Sequence, residues 1–435
     1  MRSRIEQYFR LEELGTTVPR EVLAGVTTFL TMSYIIFVNP AILGEAGMPV
    51  AAVTAATCFA AAFGSIFMGL YAGYPIALAP GMGINAYFTY SVVLGMGIPW
   101  RTALGAVFIS GVIFLALTLV GLRQKLLEAL PPALHAATAA GIGLFIALIG
   151  LRNAGVVVAN EATLVTLGDL SSPTTLLALL GVLAVAVMMG RGVRAAMLIG
   201  ILGTAAGAFL LGVAEWTPGT FNPEQATAAA FELDIPAALE IGLLEVVFVF
   251  LFVDLFDTLG TVIGVCKKAD LFDDDNRIPR VERILTADAA ATVVGSLSGT
   301  STVVSYIESA AGVASGGRSG LTAVVTGCLF IVALFVAPFL GALPATATAP
   351  ALIIVGALMI SSIKEIDWDD VSVALPSFLT MIAIPLTFSI ANGLALGFIA
   401  YDALEISKGK ALQTPWLVHV LALVFVIRFA YLGAG

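Results

Sequence analysis

The chain has 435 residues, of which 59% are hydrophobic and only 11% charged, and its mean hydropathy is +1.03. This excludes an ordinary soluble globular domain: many apolar runs reach the roughly 20 residues that a helix needs to cross a bilayer, so the sequence reads as an all-α polytopic membrane protein. The net charge of −9 is scattered over separate loops and implies neither a nucleic-acid partner nor an acidic-ligand role.

The first 20 residues are polar and carry Arg2, Arg4, Arg10 and Arg20. They lack the short apolar core and small-residue cleavage site of a signal peptide, so the first span itself is expected to direct insertion. Spans are expected at about 22–43, 50–73, 84–97, 101–121, 131–151, 174–190, 193–214, 238–266, 281–297, 305–317, 319–341, 345–362, 370–390 and 392–408,. A further apolar run at 416–432 reads equally as a fifteenth span or an interfacial helix. Cys58, Cys266 and Cys328 fall in or beside apolar runs, which argues against disulfides,. The economical reading is one membrane domain with no appended soluble domain.

Two of these spans, 84–97 and 305–317, are too short to cross. Each follows an extended-looking lead, YPIALAPGMG before the first and GTSTVV before the second. Short, Gly/Pro-interrupted segments at matching places in two halves point to a transporter binding site. The halves do match: GAVFISGVIFLALTLVG (105–121) resembles LTAVVTGCLFIVALFVA (321–337), and LPPALHAATAAGIGLFIALIG (130–150) resembles LPATATAPALIIVGALMISS (343–362). Both pairs lie about 215 residues apart, the mark of an internal repeat,. Residues 1–214 and 238–408 are then two repeats of seven spans, and the odd number inverts the second copy; residues 409–435 form a tail of undecided topology.

Loop charge supports that count. With the N-terminus inside, cytoplasmic loops hold Arg123, Lys125, Arg191, Arg194, Lys267, Lys268, Arg277, Arg280, Arg283, Arg318, Lys364, Lys408 and Lys410, while external loops hold only Arg101 and Arg152. The 215–237 loop has Glu215, Glu224, Glu232 and Asp234 and no base, as expected outside,.

Chemistry concentrates where the apolar rule is broken. FVDLFDTLGT (252–261) puts Asp254 and Asp257 into an apolar run, and Asp254, Asp257, Thr258 and Thr261 share one helical face,. Acids at membrane depth are costly and normally face a cavity or partner on a substrate or proton route; a packing role for a helix-end acid is the bland alternative. GTSTVVSYIESAAG (299–312) carries six hydroxyl-bearing side chains and Glu308. Read as a helix, Ser305, Glu308, Ser309 and Gly312 share a face, with Glu308 about one turn in, near the positive end of the dipole. Asn85 opens the first short span, as a ligand contact or as a simple cap. Thr27, Thr31 and Tyr34 line one face of span one, although membrane threonines usually bond their own backbone. Two carboxylates, hydroxyls and free amides suit a small, planar, polar molecule, with Tyr306, Phe256 and Tyr87 as possible stacking faces.

Other chemistries lack support. There is no phosphate-binding Gly-rich loop with Lys, and His135 and His419 are too few and too scattered for a metal site. The Gly317–Gly320 stretch matches the G-x-S-G of rhomboid-type proteases but sits beside Arg318 with no His base, and Tyr401-Asp402 is one half of an aspartyl-protease pattern without the other. The acidic run 273–275 reads as a solvated loop.

Together, FVDLFDTLGT, GMGINAYFTY, TSTVVSYIESAAG and NPAILGEAGMP resemble the AzgA-like adenine/guanine/hypoxanthine permeases of the nucleobase/cation symporter-2 superfamily, over essentially the whole chain. The resemblance implies the uracil-permease fold: fourteen spans in two inverted repeats of seven, a core of spans one to four and eight to eleven, a gate of spans five to seven and twelve to fourteen, and short antiparallel strands opening spans three and ten. It implies Glu308 as the substrate-binding acid, with Tyr306 and Ile307 lining the base, Asn85 as the polar residue opening span three, and Asp257 as the acid of span eight. Ser305 and Thr31 complete the expected binding set, and Asp257 with Asp254 the proton-coupling set. The uracil permeases carry a His near position 261, where this chain has Thr261, a departure that bears on proton handling.

The expectation is therefore a non-enzymatic, proton-coupled, elevator-type importer of purine nucleobases in the inner or plasma membrane, driven by the proton gradient with no cofactor, metal or nucleic acid. This fold often forms homodimers, a point on which the sequence is silent. Rivals are uracil, xanthine or an inorganic anion on the same fold, or an uncoupled facilitator; Glu308 argues against the anion, which would want a basic or neutral residue there. Single cysteines introduced into a cysteine-less chain test the topology: an impermeant thiol reagent on intact cells should label the 215–237 loop and spare the 265–283 loop. Labelling of the latter overturns the inward N-terminus.

Overall fold

A computed structural model describes residues 4–121, 131–240, 244–273, 277–340 and 343–431. Arg123, Lys125, Asp274 and Asp275 lie outside the described residues, as does the side chain of Phe256. Helices dominate. The first half runs α1 (Val18–Met32), α2 (Ile35–Glu45), α3 (Val50–Phe67), strand β1 (Leu78–Pro80), α4 (Met82–Ala86), α5 (Trp100–Leu119), α6 (Pro132–Asn153), a β2–β3 hairpin (Val157–Asn160, Leu164–Leu167), α7 (Pro173–Gly190) and α8 (Ala196–Leu210). The second half runs α9 (Leu244–Ala269), α10 (Val281–Ser298), strand β4 (Val303–Ser305), α11 (Ser309–Ala314), α12 (Gly320–Leu340), α13 (Ala345–Met359), α14 (Val371–Thr387), α15 (Ile390–Ser407) and α16 (Trp416–Tyr431). Among the described residues, eight helical stretches are long and apolar enough to cross a membrane, and three apolar helices are shorter.

Several expected spans are broken in ways the residues explain. Span one divides at Ser33–Tyr34, where 3.1 Å bonds from Ile36 N to Ser33 O and from Phe37 N to Tyr34 O tighten the turn. Pro40 removes the N–H that the Ile36 carbonyl would otherwise receive,. The helix over α3 widens to a π-helical turn at Met68–Ala72, and α4 continues as the π-helix Tyr87–Gly95. The apolar run at 416–432 is a helix, α16, packed on α15. Its Arg428, buried, pairs with Glu245 of α9 at 2.6 Å and donates to Asn392 of α15 at 2.8 Å.

The two short spans meet. β1 and β4 pair antiparallel, with Leu78 opposite Ser305 and Pro80 opposite Val303, and every residue of both strands is buried. The pairing extends past the strands through Gly81 N to Thr302 O and Tyr306 N to Ala77 O, both 2.9 Å. A two-stranded sheet leaves two outer edges, and hydroxyls on flanking helices close both. Ser65 of α3 accepts from Leu78 N at 2.9 Å and donates to Leu78 O at 3.1 Å. Thr292 of α10 accepts from Val303 N at 3.3 Å and donates to Val303 O at 2.8 Å. The two halves of the chain thus solve the same edge problem with the same device.

Surface ion pairs sort the loops onto faces. Arg101 pairs with Glu232 of the 215–237 loop at 2.8 Å, and Arg152 with Glu45 at 2.8 Å, so the first two loops share a face, as do the second two.

Replacing either edge hydroxyl should strand a buried N–H and C=O. Ser65→Ala or Thr292→Val should each cost about 1–3 kcal/mol, read as a lower thermal midpoint of the purified protein in detergent. An unchanged midpoint for both would mean the sheet edges are satisfied in another way.

Candidate functional site

A cavity of about 730 Å³ opens between α1, α9 and α11 on one side and α6 and α13 on the other. Thr31, Val253, Asp257, Gly260, Thr261, Ile307 and Glu308 line the first wall, and His135, Thr138, Ile142, Val355 and Met359 the second. Its mouth reaches Arg194, Lys268 and Glu365. The volume lies within the range of small-molecule sites, and the lining is mostly apolar with a few convergent polar groups, the usual composition of such a site.

Glu308 stands at the cavity because the helix starts later than the sequence suggests. The helical face expected for Ser305, Glu308, Ser309 and Gly312 does not form: Ser305 is strand, and α11 begins at Ser309 with Glu308 in its N-cap position. The β-branched run before it is drawn into the pairing with β1. The Glu308 carboxylate therefore sits at the start of the helix rather than a turn inside it. The phenol of Tyr34, at the break between α1 and α2, donates to Glu308 Oε1 at 2.5 Å. Tyr34 is itself buried, so it orients the carboxylate while one oxygen keeps capacity for a ligand donor.

The acid-bearing face of α9 is divided between two neighbours. Asp257 and Thr261 line the cavity. Asp254 and Thr258 are fully buried and turn toward α10, where the Thr258 hydroxyl lies 2.9 Å from both oxygens of Asp288 and 3.4 Å from Asp254 Oδ1. Ser305 adds a donor to Asp288 at 3.2 Å. Asp288 is a functional candidate that the sequence reading passed over. Its signal was available: a lone acid in the small-residue helix ADAAATVVGSL.

The remaining expected contacts scatter. Thr31 lines the cavity while its hydroxyl donates to the carbonyls of Thr27 and Thr28 at 3.1 and 2.8 Å. Ile307 projects into the cavity and is 52% exposed. Tyr306 is buried, and its phenol donates to Pro80 O at 2.6 Å, so it buttresses the strand pair and is absent from the lining. Tyr87 is also buried, edge-on to Phe250 at 5.2 Å. Asn85 is fully buried in a polar cluster apart from the cavity lining. Its amide donates to Asn39 Oδ1 at 2.6 Å, Ser301 donates to its oxygen, and Asn39 donates to Thr57 and Thr300 at 2.7 and 2.8 Å. His135 is the reverse case. It arrives from α6 opposite Gly260, its Nε2 3.9 Å from where a Cβ on that glycine would stand. An imidazole thus stands at the level of position 261 although none occupies that position.

This architecture recurs in solved membrane transporters. The transmembrane domain of the cyanobacterial bicarbonate transporter BicA superposes with a TM-score of 0.64 at 16% identity, covering 86% of this chain and 97% of that one. The murine Solute Carrier 26 family member A9 anion transporter, in its inward-facing state, gives 0.66 at 13% identity, covering 90% and 68%. At these identities the likeness concerns the fold alone. The chain belongs to the permease family, which it matches over residues 19–426; it is a multi-pass membrane protein. Among its relatives, MJ0326 of Methanocaldococcus jannaschii is 54% identical over 430 residues, 99% of either chain. The adenine permease AdeP of Escherichia coli K12 is 44% identical over 99% of this chain and 97% of its own. The guanine/hypoxanthine permease PbuG of Bacillus subtilis 168 is 46% identical over 98% of this chain and 100% of its own.

If Asn85 holds the fold rather than a ligand, Asn85→Ala should lower the thermal midpoint of the ligand-free protein, at a cost of about 1–3 kcal/mol for the stranded partners. An unchanged midpoint combined with lost ligand binding would return Asn85 to the site.

Proposed function

We propose that this protein imports purine nucleobases, with adenine, guanine and hypoxanthine as the candidate substrates, by proton symport across the inner or plasma membrane. The observation that carries the reading is the sharing of one 730 Å³ cavity by Asp257 and Glu308. Full-length relatives that are adenine and guanine/hypoxanthine permeases supply the substrate class. Uracil or xanthine on the same fold, and uncoupled nucleobase flux, are the competing readings. The fold neighbours that carry anions do not redirect it, since a carboxylate at 308 would repel an anionic ligand.

In this reading Glu308, held by Tyr34, accepts N–H bonds from the purine edge, and Ile307 packs on the ring face. Asp257 carries the proton beside it. Asp254 and Asp288, joined through Thr258 behind Asp257, form a second acidic station from which a proton can be exchanged. A protonated Asp257 lets the carrier cross the low-dielectric zone without moving a bare charge. The moving core comprises spans one to four and eight to eleven of a fourteen-span arrangement of two inverted seven-span repeats, and the gate comprises the rest. The position of the cavity between α1, α9 and α11 on one side and α6 and α13 on the other supports that division, in which His135 belongs to the gate wall. With the N-terminus in the cytoplasm, a mouth at Arg194 and Lys268 makes this the inward-facing state.

Reconstituted vesicles test both acids. Glu308→Gln keeps the shape but exchanges an acceptor for a donor, so equilibrium purine binding should fall about tenfold or more; unchanged affinity for every purine removes Glu308 from the site. Asp257→Asn mimics the protonated state, so exchange of labelled for unlabelled purine should continue while gradient-driven accumulation stops. Intact accumulation takes Asp257 out of the coupling path, and joint loss of binding and exchange makes it a substrate ligand instead.

A further inference from the structure

A second cavity, of about 500 Å³, shares no lining residue with the first among the described residues. It lies where the N-terminal segment, the π-helical end of α3, the loop and head of α10, and the turn before α12 come together. Four arginines, Arg10, Arg280, Arg283 and Arg318, line it with Tyr8, Phe9, Tyr71 and Tyr74. Among the described residues its one acidic lining residue, Glu13, is taken by Arg10 at 2.5 Å. Among the described residues, the guanidinium groups of Arg280, Arg283 and Arg318 pair with no carboxylate.

These cations differ from the scattered bases of an ordinary cytoplasmic loop because they converge and are held. Arg318 donates through Nη1 to the carbonyls of Val313 and Gly317, both at 2.9 Å, while its backbone N–H donates to Glu21 at 2.8 Å. Arg283 stacks over the ring of Tyr71 at 5.7 Å. Arg280 adopts a left-handed backbone, φ 52°, immediately after Pro279, whose carbonyl accepts from the Tyr74 phenol at 2.5 Å. A left-handed non-glycine residue carries strain that surrounding contacts must hold. Three like charges facing one recess repel each other, exclude cations and favour an anion. Guanidinium forks match phosphate oxygens in pairs, and the aromatic walls suit an apolar or ring-bearing body attached to that phosphate.

We propose that this recess is a binding site for a phosphate group carried on an apolar or aromatic body. Two sources share that chemistry: the headgroup of an anionic phospholipid, since basic pockets between helices at a membrane face bind such headgroups, and a soluble phosphomonoester. Occupancy would clamp four segments, one of them the turn at Arg318 that follows directly on α11. The site stands on its own residues, so it holds whether or not the transported solute is a purine.

The full-length protein in neutral phosphatidylcholine nanodiscs provides the test, read by thermal midpoint and by protection of Arg280 and Arg283 from phenylglyoxal. Adding phosphatidylglycerol to the disc, or adenosine monophosphate to the solution, should raise the midpoint and protect both arginines. Response to the lipid alone assigns the headgroup, and response to the nucleotide in neutral discs assigns the soluble phosphate. In Arg280→Gln/Arg283→Gln the half-effect concentration should rise about tenfold or more, with an unshifted midpoint in neutral discs showing that the fold is intact. The proposal fails if neither probe acts, or if both act equally on the double variant, which would mean general surface charge. A double variant with a lowered midpoint in neutral discs is replaced by Arg283→Lys, which keeps the charge but loses the paired geometry and should still weaken the response.

Discussion

At the centre of the molecule, two extended segments expose backbone groups that a helix would have satisfied internally. Apolar surroundings offer them no water, and each unsatisfied N–H or C=O there costs several kcal/mol. β1 and β4 meet this demand by pairing with each other, and Ser65 and Thr292 close the outer edges. Because one strand comes from each half of the chain, neither half can place its short helix without the other. The positions of Glu308, Tyr306 and Asn85 all follow from that pairing. Gly81, where the first strand turns into α4, is tight for the same reason: a Cβ there would come within 2.9 Å of Val304.

The acids are sorted by what they can reach. Asp254 and Asp257 are separated by about 60° around their helix, enough for different neighbours to claim them. One faces the cavity; the other joins Thr258 and Asp288 in a closed cluster. A buried carboxylate is tolerable when hydroxyl donors surround it, and α10 and β4 supply those donors. The result is one accessible acid backed by two that are shielded.

The same fold occurs in transporters of quite different cargo, which is the general case for superfolds: function lies in the side chains grafted on them. In this chain the cavity carries Tyr34–Glu308 with Asp257 on one wall and His135 on the other. The Asn39–Asn85 cluster, which lies apart from the cavity lining, is just as polar and just as buried. Polarity in an apolar chain therefore marks either function or a backbone and side-chain satisfaction problem, and geometry separates the two.

Membrane class, the two short segments that follow β1 and β4, and the two acids that line the cavity were legible in the sequence. Each is a property of a single segment, since the bilayer's demand for long apolar runs and its penalty on charge act on segments one at a time. The rest depended on which helix lies beside which. The sequence put Asp254, Asp257, Thr258 and Thr261 on one face, correctly as periodicity, but could not say that a neighbouring helix would claim half of it. Asn85 and Tyr306 read as ligand contacts because a polar group in an apolar span has few obvious uses; in the structure they bond Asn39, Ser301 and the Pro80 carbonyl and stand outside the cavity lining. His135 looked isolated because its neighbour Gly260 lies on a distant part of the chain, and only the packing of α6 against α9 brings them face to face.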